Sequence, residues 1–326
     1  MLSIECRPNK FSEVIGQDLA VRTLKSIATS PGISVRSIVL QGSYGCGKTT
    51  LSRIFAKAVV CDHISSGDVC LECPSCKEAS RDNSSCYLEF DASRVGNVEA
   101  IKSLIDRLSI SVSDKRRVVC IDEVHTCSNQ ALNALLKVLE EGIPNTFFVF
   151  STTEPLLKTI MSRSCVIPIT TVNHITLAAY VKEVATSHEI IISDEQIDRL
   201  TLKSEGHVRN AMQLLDHFAM VGDEAIKTPY NLISKIILQS IRNENISTAL
   251  SELELYPLPD VRQSLNLFLR NTFLGKGAFE SKLLEKQLAP KIFQIFYSPE
   301  VREALKDEYG ILIAFRYFNE LLNENR

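Results

Sequence analysis

Gly42-Ser43-Tyr44-Gly45-Cys46-Gly47-Lys48-Thr49 sits between an apolar run, Ser37–Gln41, and a stretch in which Leu51, Ile54, Phe55 and Ala58 recur at helical spacing. Strand, glycine-rich turn and helix are the context that the phosphate-loop pattern requires. Its glycines let backbone N–H groups converge on phosphate oxygens, and a helix starting near Lys48 adds the partial positive charge of its N-terminus. Lys48 is then placed to bridge the β- and γ-phosphates of a nucleotide, and Thr49 to ligate Mg²⁺. The alternative is a chance glycine-rich turn, and the flanking strand and helix count against it.

Further along the chain, Tyr87–Asp91, Val118–Asp122, Thr146–Ser151 and Cys165–Ile169 are short apolar runs that end in polar or terminating positions. Helix-period stretches separate them, as where Leu132, Leu135, Leu136 and Leu139 share one face. Such alternation predicts a parallel sheet covered by helices on both faces, with ligands at the carboxyl ends of its strands. One of these runs, Val118-Val119-Cys120-Ile121, delivers Asp122-Glu123 to the sheet edge about seventy residues after the phosphate loop. Asp122 suits the magnesium shell, and Glu123 suits polarisation of a water for in-line attack on the γ-phosphate. Read alone, the pair could equally cap a helix; beside a phosphate loop it completes a nucleoside triphosphatase.

Cys61, Cys70, Cys73 and Cys76 form the second strong signal. Two-residue spacings let thiolates fold back on one ion, and four of them close a tetrahedral shell with no open position, so a structural Zn²⁺ is expected. Loose thiols in a surface loop and an iron–sulfur cluster are the competing readings. Of the ten cysteines, the other six are scattered, and Cys120 in its apolar run reads as a small buried hydrophobe.

The 326 residues are 45% apolar and 23% charged, which suits a soluble globular protein of two or three domains. The net charge of −3 excludes a broad basic coat but leaves room for a few cations on one inner surface. No long apolar run and no secretory leader layout are evident, so no membrane partner and a cytoplasmic location are expected. After about residue 172 the strand signals stop. His174–Thr186, Asp194–Lys203 (with Ser193 as N-cap) and Val208–Met220 read as helices. An all-helical stretch follows Pro229, with breaks near Pro257-Leu258-Pro259 and Ser298-Pro299. Its last helix carries Ile311, Phe315, Phe318 and Leu322 on one face.

The order of these features resembles the clamp-loader ATPases of the AAA+ superfamily, in particular the gamma/tau type, over roughly residues 5–220. Arg7-Pro8-Asn9-Lys10-Phe11-Ser12-Glu13-Val14 is similar to the family's N-terminal box, which implies that Arg7, Pro8 and Val14 pack around adenine. The four-cysteine insert directly after the phosphate-loop helix is the most discriminating match. Residues 121–125 and the following Leu132-Asn133-Ala134-Leu135-Leu136-Lys137 look like the acidic box and its helix. Ser151-Thr152-Thr153-Glu154-Pro155 resembles the sensor of the γ-phosphate, with Thr152 or Thr153 as the sensing hydroxyl. Ser162-Arg163-Ser164-Cys165 resembles the family's Ser-Arg-Cys motif with one serine inserted, which implies that Arg163 reaches into a neighbouring subunit's ATP. Glu205-Gly206-His207-Val208-Arg209 resembles the lid motif whose arginine, here Arg209, touches nucleotide.

The resemblance implies an α/β P-loop AAA+ core over 1–172 with a zinc module at 61–76. A helical lid at 173–228 and a helical collar at 229–326 follow. ATP and Mg²⁺ would meet Gly42, Ser43, Tyr44, Gly45, Cys46, Gly47, Lys48, Thr49, Thr50, Asp122, Thr153 and Arg209, with Lys48, Glu123 and Arg163 as the catalytic set. Arg94, in Asp91-Ala92-Ser93-Arg94, and Lys137 would hold the DNA backbone, although Asn97 stands near where the family often carries a second basic residue. The implied partners are a sliding clamp, primer–template DNA, copies of the chain and at least one different subunit. A chain ending at the collar would lack the long C-terminal extension of the tau form. A branch-migration motor of the same superfamily and a non-hydrolysing scaffold subunit are the competing readings. The cysteine insert opposes the first, and the intact phosphate loop and acidic pair oppose the second.

Overall fold

Val39, Val119, Ile121, Phe148 and Phe150 alternate along their strands with Ile38, Leu40, Val118, Cys120, Phe147 and Val149, and both sets are buried. A strand apolar on both faces can only sit inside a sheet covered on both sides. The computed structural model describes residues 1–30, 35–64, 68–80, 85–110, 116–242, 244–274, 289–304 and 310–324. Its sheet has five parallel strands: β1 (Ser37–Gln41), β2 (Tyr87–Asp91), β3 (Arg117–Asp122), β4 (Thr146–Thr152) and β5 (Cys165–Pro168). They lie in the order β2-β3-β4-β1-β5. The strands match the runs expected from sequence to within a residue or two.

The helices before the last strand are α1 (Leu2–Glu5), α2 (Asp18–Thr29), α3 (Lys48–Val60), α4 (Pro74–Ala79), α5 (Ala92–Val95), α6 (Val98–Ile110), α7 (Asn129–Glu141) and α8 (Lys158–Met161). Leu24 and Ile27 of α2 and Leu51, Ile54 and Phe55 of α3 pack on one face of the sheet. Ile101 and Leu104 of α6 and Leu132 and Leu135 of α7 pack on the other. Cys120 lies at the centre of the first core, where burial pushes its thiol up to about 12 and leaves it a neutral hydrophobe.

The chain divides into two compact units, Met1–Gly222 and Asp223–Arg326. The first contains the sheet together with α9 (His174–Ser187), α10 (Asp194–Lys203) and α11 (Val208–Val221). Ser193 caps α10 as expected, accepting from the Gln196 N–H while the Gln196 side chain accepts from the Ser193 amide. Such a cap is worth about 1 kcal/mol.

The second unit is helical: α12 (Tyr230–Arg242), α13 (Ser247–Leu253), α14 (Leu258–Leu274), α15 (Ala289–Phe296), α16 (Pro299–Ala304) and α17 (Gly310–Glu324). The breaks fall where the prolines forecast them. Phe315 and Phe318 of α17 are fully buried, with Phe296 5.4 and 4.9 Å from their ring centres. The side chains of Ile311 and Leu322 lie outside the described residues. Among the described residues, no helix is long and apolar enough to cross a membrane.

Candidate nucleotide site and cysteine cluster

Parallel strands point their carboxyl ends the same way, and a cavity of about 750 Å³ opens at that edge. Such a volume lies within the range of small-ligand sites. The phosphate loop leaves β1 and enters α3 through Gly45 and Gly47, whose φ values of +77° and +106° disfavour any side chain. Gly42 is constrained differently. Its φ is ordinary, but a Cβ there would collide with the Ile169 carbonyl oxygen. That carbonyl cannot easily give way, because the Ile169 N–H is pinned to Gln41 O at 2.7 Å. Gly42→Ala is therefore expected to cost about 2 kcal/mol and to displace the loop. Thermal denaturation should show a lower midpoint, and titration with a fluorescent ATP analogue should show lost binding.

Lys48 is 5% exposed, and its Nζ donates to Gly42 O and Ser43 O at 2.9 and 3.0 Å. Thr49 Oγ1 donates to Asp122 Oδ2 at 2.7 Å, and Asp122 Oδ1 accepts from the Glu123 N–H at 3.1 Å. Two oxygens bound to one Mg²⁺ at about 2.0–2.1 Å in octahedral geometry lie about 2.9 Å apart. The Thr49–Asp122 pair thus already has the spacing of neighbouring ligands. Glu123 adopts a left-handed conformation, φ +49°, immediately after β3. For a residue other than glycine this stores about 1–3 kcal/mol, and such strain collects at functional sites.

Arg7, Pro8 and Val14 line the cavity. Arg7 Nε donates to Thr50 Oγ1 at 3.0 Å, which ties the N-terminal segment to the start of α3. Residues of α9 and α11 also contribute to the cavity wall. Arg209 lines it with Nη1 donating to the Tyr44 hydroxyl at 2.8 Å and its guanidinium 5.1 Å from the Tyr44 ring. His207 Nε2 lies 3.1 Å from Ser43 Oγ. Arg94 reaches the rim, is 83% exposed and pairs with Asp91 at 3.1 Å.

Gly42, Ser43, Thr153, Lys137 and Arg163 do not line the cavity. Thr152 ends β4, Thr153 follows it, and both face His125. Lys137 is exposed on α7 beside Glu141. Arg163 pairs with Glu140 at 2.6 Å and donates to Thr159 O at 3.0 Å.

Sequence reading missed several wall residues. Leu2, Cys6, Tyr180 and Met212 also line the cavity. Asp216 accepts from the Leu2 N–H at 2.9 Å, and the Tyr180 hydroxyl donates to Cys6 O at 3.0 Å. Residues before Arg7 carry no motif, so nothing local marked them.

The sulfurs of Cys61, Cys70, Cys73 and Cys76 all lie within 4.8 Å of one another. Zn–S bonds of about 2.3 Å in a tetrahedron put sulfurs about 3.8 Å apart, close to the 3.6 and 3.9 Å from Cys70 to Cys61 and Cys76. This donor set fits one tetrahedral ion; a multi-iron cluster needs its thiolates farther apart. The amides of Cys73 and Glu72 hold the Cys70 thiol down at about 6, the charge state of a ligand. Burial pushes Cys61 and Cys76 up. Asp68, just before the cluster, accepts from the N–H groups of Phe11 and Ser12, each at 2.9 Å. Burial opposes its charge, yet these amides and that of Val69 hold the Asp68 carboxyl below its ordinary range.

Comparison with known proteins follows the same lines. A family model described as "DNA polymerase III, delta subunit" matches residues 16–173. The chain is 29% identical over 294 residues to DNA polymerase III subunit tau of Bacillus subtilis, covering 86% of this chain and 49% of that protein. It is 30% identical over 230 residues to DNA polymerase III subunit gamma of Buchnera aphidicola from Acyrthosiphon pisum, covering 68% of this chain and 62% of the other. It spans 34% of the tau/gamma subunit of Haemophilus influenzae, so it corresponds to half or less of the tau-type relatives. Among solved structures, the Thermotoga maritima RuvB Holliday junction branch migration motor aligns with a TM-score of 0.52 at 20% identity, covering 77% of this chain and 86% of that one. A likeness at that identity speaks for the fold alone.

Proposed function

We infer that this chain, a relative of the bacterial DNA polymerase III gamma and tau subunits with an AAA+ nucleotide fold, is an ATP-hydrolysing subunit of a sliding-clamp loader. The observation that carries the reading is the cavity floor. There Thr49 and Asp122 already stand at the spacing of neighbouring magnesium ligands, with Glu123 next in the chain.

Mg²⁺ held by Thr49 and Asp122 would neutralise phosphate charge and orient the γ-phosphate. Lys48, released from the loop carbonyls, reaches the β- and γ-phosphates. Glu123 takes a proton from the attacking water. Arg209 exchanges its Tyr44 contact for nucleotide, so the lid registers occupancy. Arg163 of a neighbouring copy completes the site from outside. The four cysteines hold Zn²⁺ as a structural ion. The helical second unit acts as the collar, and Arg94 and Lys137 contact the DNA backbone.

With ATP bound, the assembly holds the clamp open and grips primer–template DNA; hydrolysis releases it. The cycle is a switch, in which binding at one interface changes the geometry of the whole assembly. The test is steady-state ATP hydrolysis by the purified chain with its partner subunits, with and without clamp and primed DNA. Strong stimulation by both is expected. Glu123→Gln should lower the rate by at least about a hundredfold, in line with loss of a general base, while ATP affinity stays near that of the unsubstituted chain. A rate indifferent to the clamp but raised by branched DNA would transfer the chain to the motor class.

A further inference from the structure

His125 lies two residues beyond Glu123 and does not line the cavity, yet its ring touches three groups that matter there. Nδ1 lies 3.3 Å from Thr152 Oγ1 and 3.5 Å from Glu123 Oε2, while Nε2 lies 3.2 Å from Thr153 Oγ1. The imidazole is 19% exposed and the Glu123 side chain 26%, so these contacts are partly buried.

The hydrogen-bond directions follow from the neighbours. Thr152 has one hydroxyl proton, and Glu154 O takes it at 2.6 Å. Thr152 Oγ1 therefore faces His125 with a lone pair, and the Glu123 carboxylate offers only lone pairs. Both groups facing Nδ1 are acceptors, so Nδ1 carries the proton. In the neutral ring Nε2 is then an acceptor, and the Thr153 hydroxyl donates to it. The ring joins the end of β4 to the residue after β3 with its tautomer fixed at both nitrogens.

Glu123 needs such a partner. Its backbone is held in the left-handed region, and its amide is already committed to Asp122. Within the 121–125 box, the carboxylate would otherwise be free to swing about its side-chain torsions. We propose that His125 is a positioning residue for hydrolysis, which holds the Glu123 carboxylate in its attacking orientation and makes that orientation depend on the hydroxyls of Thr152 and Thr153. When Thr153 turns its hydroxyl toward another acceptor, Nε2 loses its donor, and the restraint on Glu123 changes with it. The inference rests on the assignment of Glu123 as the base and deepens it.

The test compares His125→Ala and His125→Asn with the unsubstituted chain, using all 326 residues and the assembly they form. Binding of a fluorescent ATP analogue, kcat and KM for ATP, and thermal midpoint are measured together. An asparagine amide nitrogen occupies nearly the place of Nδ1, so it restores the donor to Thr152 and a polar N–H beside the Glu123 carboxylate. The expected result is a kcat at least tenfold lower in His125→Ala, ATP-analogue affinity within twofold, and substantial recovery of kcat in His125→Asn. Unchanged kcat in His125→Ala would overturn the proposal. So would a parallel loss of kcat and affinity that His125→Asn fails to relieve, since that pattern describes a packing defect. If His125→Ala does not fold, the result rests on His125→Asn, whose kcat must exceed that of His125→Gln, an amide placed at Nε2 instead. Glu123→Gln in the same assay separates the two levels. A silent Glu123→Gln beside a fully active His125→Ala defeats this inference alone, whereas an active Glu123→Gln defeats the base assignment and the inference with it.

Discussion

A chain carrying Arg163→Ala should bind ATP with its normal affinity and yet hydrolyse it on the order of a thousandfold more slowly in the assembly, the scale lost when an arginine finger is removed. The reason is geometric. Arg163 stands two residues before β5, at the amino end of the sheet, and the neighbouring Ser164 Oγ lies 2.7 Å from Ser37 Oγ at the start of β1. The phosphate loop leaves the other end of β1. Five residues of strand at about 3.3 Å each separate the two ends by roughly 15 Å, too far for the guanidinium to reach its own chain's nucleotide. Within the chain Arg163 is parked on Glu140. If it acts, it acts on a neighbour. A mixing experiment follows from this. Arg163→Ala chains and Lys48→Ala chains are each inactive alone, but a mixed assembly contains interfaces that pair an intact phosphate loop with an intact Arg163. Recovered hydrolysis on mixing is expected. If mixed assemblies stay as inactive as either parent, Arg163 has no role across an interface.

The parts of this molecule that sequence made legible share one property: their chemistry is local. The phosphate loop needs a glycine pattern between one strand and one helix, and all of it lies within a dozen residues. The cysteine cluster spans Cys61 to Cys76, short enough for spacing alone to imply one ion. The strands were legible because a doubly covered sheet demands unbroken apolar runs. The contacts that complete the site are of another kind. Arg7 to Thr50, Asp216 to Leu2 and Arg209 to Tyr44 join residues 43, 214 and 165 positions apart. No periodicity registers such pairs, because their members lie on helices and loops far apart in the chain. His125 shows the same limit at shorter range. Its place in the 121–125 box was visible, but its partners Thr152 and Thr153 come from the next strand of the sheet, and nothing in the box specifies them. Arg53 and Glu89, paired at 2.7 Å on the cavity wall, likewise carry no motif.

If the four cysteines bind Zn²⁺ as proposed, stripping that ion should do more than loosen their loop: it should weaken ATP binding. The path is short and can be traced atom by atom. An ion on the cluster would fix the chain that follows Asp68, and Asp68 accepts from the amides of Phe11 and Ser12. On the other side, Lys57 of α3 donates to Asn9 Oδ1 at 2.8 Å. Asn9 directly follows Arg7-Pro8, which line the cavity, and Arg7 reaches Thr50. Hydrogen bonds from amides to a carboxylate are each worth about 1.5–3 kcal/mol, so losing the register of Asp68 should cost ATP affinity about tenfold, or about 1.4 kcal/mol. The thermal midpoint of the first unit should also fall by about 10 °C, since structural thiolate sites contribute several kcal/mol to folding. Chelation followed by calorimetry and titration with a fluorescent ATP analogue measures both effects. Asp68→Ala separates them: it should keep one equivalent of metal and most of the thermal stability while reproducing the affinity loss. By linkage, saturating ATP should raise the affinity for the metal by the same factor, about tenfold, in a competition titration with a chelator. Should the metal-free chain stay folded and bind ATP as tightly as before, and Asp68→Ala do the same, the cysteine cluster stabilises only its own loop and the N-terminal segment takes its position from α3 alone.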